Sequence, residues 1–311
     1  MSTSTQVAAP RLSPHATGVL LALAGAITFS GKAIIVKLSY RYGVDAVTVI
    51  MVRMLWSLPM FMALAWWSSR TVFAKQNPLQ WRDAPIIIAL GVLCYYLASF
   101  LDFLGLQTIT ASLERLILYL NPTLVLLLSA LIYKHRIRPM RALAMVISYA
   151  GVLVVFGHEV SLAGPDVVTG ALFVLGSALS YALYLMFSGE VVQRIGSMRL
   201  VGWASSVACV CCLAQFALLR PLDTVIPSEV WWLGLLNATA CTVAPVWMVM
   251  LAIERIGAAL TSQTGMVGPL STLTLGVWVL GEPLNAWIGL GTVLVLGGVY
   301  LASRYGDKSW T

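Results

Sequence analysis

Five ionisable side chains interrupt otherwise apolar stretches of this chain: Lys32, Arg53, Asp102, Glu114 and Arg115. A charge held away from water is costly, so residues of this kind bind, relay or pair. Three are cations and two are acids. If each acid takes one base, one cation remains, and an unpaired buried cation calls for an anion. Arginine keeps its proton in proteins whereas lysine is able to release it, which makes Lys32 the candidate for a site that takes a carboxylate. On a structural reading, Arg53, Glu114 and Arg115 instead form charge pairs that lock helices together or open as a gate. Uncharged side chains supply a lining. Thr28 and Lys32 are four apart, and Tyr95, Ser99 and Asp102 stand at i, i+4 and i+7. Ser177, Tyr181, Tyr184 and Ser188 make a third stripe. Such spacing puts each set on one helical face, although Ser and Thr there also serve as ordinary packing glue. Tyr95, Tyr181 and Tyr184 suit the side chain of an aromatic solute. A lipophilic cation would instead need a free carboxylate, Asp102 or Glu114.

The elements that position these residues follow from composition. Apolar residues make up 59% of the 311 and charged ones 10%, against about 25% charged in a soluble domain. The spacing predicts an all-α integral membrane protein with ten transmembrane helices, at 17–39, 45–66, 84–106, 109–131, 141–157, 167–188, 200–219, 229–251, 260–280 and 285–303. These runs are about twice the length of a barrel strand, and an exposed backbone in lipid must satisfy its own hydrogen bonds. With the N-terminus inside, thirteen Lys and Arg fall in inside segments and only Arg41 and Arg220 in outside ones. That bias predicts both termini in the cytoplasm and accounts for the net charge of +7 without nucleic acid. Trp66, Trp67, Trp231, Trp232 and Trp287 fall at span ends as interfacial anchors.

The first half is echoed by the second. Residues 105–151 align without gaps to 252–298, placing Ala111 on Ala258, Pro122 on Pro269 and Gly151 on Gly298. Thr17-Gly18 likewise matches Thr169-Gly170. The halves are 17–157 and 167–303, joined by a short outside linker at 158–166 and flanked by polar tails at 1–16 and 304–311. Five spans per half make the repeats inverted, and interrupted apolar segments at corresponding places point to a transporter's binding site. Pro122 and Pro269 each remove a backbone hydrogen bond and kink their span, so they are candidates for gating.

Other chemistries find little support. Gly25 to Lys32 resembles a phosphate loop with the wrong spacing and Ala33 where Ser or Thr is needed. His15, His135 and His158 all fall in loops or tails. Cys94, Cys209, Cys211, Cys212 and Cys241 lie in apolar runs with no metal-ligand spacing. Asp102 with Glu114 is the one acidic pair that a membrane enzyme acting on lipid-linked substrates would use. Neither cofactor nor metal is expected. The expected partners are a small-molecule substrate and the lipid bilayer. A stripe of Gly291, Gly298 and Ala302 fits close packing against a neighbouring helix or a second protomer, so the protein is a monomer or a homodimer.

The pattern Ala111…Pro122…Gly151, repeated as Ala258…Pro269…Gly281-Glu282-Pro283…Gly298, resembles the paired EamA domains of the drug/metabolite transporter superfamily. The first copy departs from it, with Lys134-His135 where the second has Gly281-Glu282. The resemblance implies a bacterial inner-membrane exporter of small metabolites, amino acids or drugs that uses no ATP. It also implies a central cavity lined by spans 1–4 and 6–9, with the fifth and tenth peripheral. Within that frame the expected substrates are neutral or aromatic amino acids, with lipophilic cations as the alternative. A non-transporting scaffold is the remaining option.

Overall fold

A computed structural model describes residues 13–134, 138–221 and 224–304, which fold into helices joined by short turns. Arg11, His135, Arg136 and Lys308, used above to orient the chain, lie outside the described residues. In chain order the helices are α1 (Pro14–Tyr40), α2 (Ala46–Ser68), α3 (Val72–Gln76), α4 (Ala84–Gly91), α5 (Ala98–Gly105), α6 (Ala111–Leu118) and α7 (Asn121–Tyr133). Then come α8 (Pro139–Ala163), α9 (Asp166–Ile195), α10 (Ser197–Leu219), α11 (Ser228–Ala238), α12 (Ala244–Gly265), α13 (Gly268–Leu275) and α14 (Ala286–Arg304). Among the described residues, eight helical stretches are long and apolar enough to cross a membrane, and Ala286–Ala302 is a shorter apolar helix.

Two boundaries differ from the sequence reading. The linker expected at 158–166 is mostly helix, because α8 continues to Ala163 and turns at Gly164, where φ is 83°. Glu159 does not end the helix, since its carboxylate is engaged by the N–H and hydroxyl of Thr110. His158 is therefore helical, and its ring contacts the Asn285 amide at 2.8 Å. The run expected at 260–280 is in pieces. Gly257, at φ 79°, kinks α12, whose last turns precede a break at Met266–Val267. α13 then passes into a π-helical turn, Gly276–Leu280.

The helices pack in pairs far apart in the chain: α1 with α12, α2 with α10, α5 with α9, α6 with α13 and α8 with α14. The glycine stripe on α14 faces α8. A Cβ at Gly151 would stand 2.7 Å from the Gly291 carbonyl oxygen, and one at Gly298 would stand 2.6 Å from that of Ala144. No side chain fits at those separations, so these glycines set the crossing, as small residues do between membrane helices.

Local irregularities recur 147 residues apart. α6 and α7 are separated by Tyr119–Leu120, as α12 and α13 are by Met266–Val267. The π-helical turn Val92–Leu97 between α4 and α5 has a counterpart in Thr239–Val243 between α11 and α12. Pro122 and Pro269 sit in the first turn after each break, where a missing N–H leaves nothing unsatisfied. The prolines are thus the second residue of the second helix of each pair, and the break lies in the two residues before that helix.

Candidate functional site

Lys32, midway along α1, lies where α5 and α6 meet that helix. Its Nζ donates to Asp102 Oδ2 at 2.5 Å and stands 3.5 Å from Glu114 Oε1. Lys32 is 8% exposed, Asp102 1% and Glu114 0%. One ammonium thus serves two carboxylates on different helices. Beyond Lys32, neither Asp102 Oδ1 nor the Glu114 carboxyl meets a hydrogen-bond donor among the described residues, and the two acids lie beside each other. Removing one member of a buried pair leaves the other uncompensated, which costs about 3–5 kcal/mol.

The other cations are held differently. Arg115 Nε donates to Thr272 Oγ1 on α13 at 2.9 Å, and its guanidinium lies 5.1 Å from the Phe29 ring centroid. Lys32 Nζ is 5.7 Å from the same ring, so Phe29 faces two cations. Arg53, on α2, is 4% exposed and has no ion pair among the described residues. Its guanidinium lies 4.6 Å from the Phe103 ring centroid, its Nη2 reaches Met54 Sδ at 4.0 Å, and its Nε has no partner. With both acids at Lys32, neither arginine has an ion pair among the described residues; Arg115 has an oxygen partner in Thr272 and Arg53 has none. Lys32 is paired because Asp102 and Glu114 both come to it.

The lining residues separate into two groups. Tyr95, Tyr181 and Tyr184 meet, with centroids 5.9 Å apart for Tyr95–Tyr184 and 5.9 Å for Tyr181–Tyr184. Tyr95 lies in the π-helical turn, which offsets it from the α spacing that relates Ser99 to Asp102. Ser99 is half-buried. Thr28 bonds its hydroxyl back to the Ala24 carbonyl at 2.7 Å, so it presents mainly its methyl group. Ser177 and Ser188 are buried. Four of the five cysteines are buried and Cys211 half-buried, all as free thiols.

The breaks touch each other. The Tyr119 hydroxyl donates to the Gly265 carbonyl at 2.6 Å, and Ser30 on α1 donates to the Gly268 carbonyl at 2.8 Å. The Gly265 carbonyl, freed at the end of α12, is thus satisfied from the opposite break, and the first carbonyl of α13 takes a bond from α1.

One carboxylate cluster was not a sequence candidate. Glu282 folds back from the end of the π-helical turn onto the start of α6. Its oxygens accept from the N–H groups of Ala111, at 2.8 Å, and Ser112, at 3.3 Å, and from the Ser112 hydroxyl at 2.9 Å. Negative charge there also meets the helix's positive end. Glu159 takes the Thr110 N–H and hydroxyl beside it, and Lys37 Nζ donates to the Ile109 carbonyl at 2.6 Å. The Gly281-Glu282 pair was the one available signal, read as a motif and not as a cap.

Comparison with known proteins places this geometry. The model of the EamA-like transporter family matches twice, over residues 16–157 and 168–304. The chain belongs to the EamA-like transporter family. This EamA-like protein is 29% identical over 298 residues to YcbK of Bacillus subtilis (strain 168), named an uncharacterized transporter, covering 92% of this chain and 91% of that one. An uncharacterized transporter of Archaeoglobus fulgidus is 26% identical over 230 residues, 73% of this chain and 80% of its own. One solved crystal structure, 17% identical, superposes with a TM-score of 0.62 over 94% of this chain and 99% of its own, a likeness of fold.

Proposed function

We propose that this EamA-like protein is a secondary transporter of the bacterial inner membrane that exports small metabolites, best matched by neutral or aromatic amino acids. Ten spans form two inverted five-helix repeats with both termini in the cytoplasm, and a path between the repeats opens to one side and then the other. The observation that carries the reading is the pair of helix breaks, Tyr119–Leu120 and Met266–Val267, at matching places in the two family-matched segments and in contact with each other. Supporting it, exchanging the halves maps the main helix pairs onto themselves: α1–α12 becomes α9–α5, while α2–α10 and α8–α14 exchange members. Lys32, Asp102 and Glu114 form the charge centre beside the breaks. Pro122 and Pro269 begin the segments that move, and the three tyrosines face an aromatic side chain. The reading involves no chemical change of the solute and no cofactor, and the working unit is a monomer or a homodimer.

The test is uptake and efflux of a labelled amino-acid panel in proteoliposomes of the purified protein, with the recovered solute checked for chemical change. Movement of no solute, or conversion of one, refutes the reading. The oxygens of Glu114 and Asp102 that meet no donor beyond Lys32 favour a second reading, export of lipophilic cations. Under amino-acid export Asp102→Asn weakens transport. Under cation export Asp102→Asn or Glu114→Gln abolishes it.

A further inference from the structure

Arg53 presents a permanent charge with no ion pair within 4 Å among the described residues, and Asp102 acts on it only from farther away. Burial of a guanidinium withdraws the water that solvated its five N–H donors, and only a ring face and a thioether replace it. Its nearer surroundings are apolar or neutral: Phe103, Met54, and Cys209, whose Sγ lies 3.5 Å from Met54 Sδ. Asp102 follows Lys32 instead. One further buried group lacks a partner close by. Ser57 is one turn along α2, on the face of Arg53, and is fully buried with Oγ unbonded. Ser205, on α10, is not a second such group, because its hydroxyl faces that of Tyr95. A buried hydroxyl almost always finds a partner. Two buried donors on one face of α2, one of them a cation, describe a place for a small anion.

We propose that Arg53 is the anion-binding residue of this protein and takes the carboxylate of the transported solute, with Ser57 as an additional donor. The inference rests on the transport reading above and deepens it by naming the group recognised. The planar fork of a guanidinium matches a carboxylate in two parallel hydrogen bonds. The Lys32–Asp102–Glu114 centre then remains for the opposite end of a zwitterion, because its carboxyl oxygens are acceptors.

Acetate is the probe, with acetamide as its neutral isostere. Thermal unfolding of the purified protein is followed at fixed ionic strength set with methanesulfonate. Acetate is expected to raise the unfolding midpoint saturably and acetamide to leave it unchanged. Arg53→Met is expected to lose the acetate response while unfolding at a higher midpoint without acetate, since it removes an unpaired charge. Ser57→Ala keeps the cation and is expected to raise the half-saturating acetate concentration about tenfold. An acetate response that survives Arg53→Met, or a wild-type protein indifferent to acetate, overturns the proposal. So does chloride acting as well as acetate, which would make this a halide site. Arg53-dependent acetate binding in a protein that moves no amino acid would refute the transport reading and leave the site. Amino-acid transport without any acetate response would do the reverse.

Discussion

Lys134 ends α7 in the left-handed region, at φ 55°, with its side chain exposed. In the second half the same place is Gly281, at φ 73°. The sequence shows Lys-His in one copy and Gly-Glu in the other, yet the backbone takes the same turn in both. For a residue with a Cβ that conformation costs about 1–2 kcal/mol, so Lys134→Gly is expected to stabilise the protein by about 1 kcal/mol in thermal unfolding. A fall in midpoint would mean that Lys134 makes a contact worth more than the strain. Asp45 gives a second prediction, outside the membrane-spanning helices. Burial alone would push its carboxyl up. The Thr48 hydroxyl and N–H, at 2.5 and 3.1 Å, and the Arg220 guanidinium outweigh that and hold it below the usual carboxylate range. A lowered native value means the stabilisation is complete above the ordinary carboxylate range and is lost as pH falls through the native one. Wild type should therefore lose more stability than Asp45→Asn on acidification, by less than about 1 kcal/mol because the pair is partly exposed. Parallel acid profiles would show that the contact contributes nothing. At this scale the charged centre was legible because carboxylates and lysine stand out in apolar runs. That both arginines stay without an ion pair was not legible, since that depends on Asp102 and Glu114 both reaching Lys32.

Helix interruptions are the feature of the elements most open to test. Pro122 and Pro269 are expected to set how fast α6–α7 and α12–α13 exchange between arrangements, so replacing either with Ala should slow transport more than it lowers yield. Wild-type rates in both variants would leave the prolines as relics of duplication. The π-helical turns at 92–97 and 239–243 escaped the sequence reading because periodicity averages over a single inserted residue. The role of Glu282 escaped it for another reason. Glu282 caps α6, about 170 residues earlier in the chain, and nothing local marks that partner. Glu282→Gln keeps acceptor capacity for one N–H but loses the charge, and is expected to cost about 1–2 kcal/mol in denaturant unfolding. No change would show that the helix start is held by the Thr110 hydroxyl and Glu159 without it.

Across the whole molecule, the excess of basic residues in alternate segments predicts that a reporter fused at Asp166 labels only from outside the cell. Labelling from the cytoplasm alone would remove the inverted arrangement of the halves. Span positions were legible from hydropathy, whereas pairing between distant helices was not, because small residues such as Gly151 and Gly291 have no polarity to betray their partner. That crossing also bears on how the protein is made. α8 packs on α14, and some 140 residues separate Gly151 from Gly291. At roughly 5–20 residues per second, α8 waits on the order of 10 s in lipid before its partner exists. During that interval its notch of small residues is bare, so chains cut short before α14 display a surface that finished molecules never show.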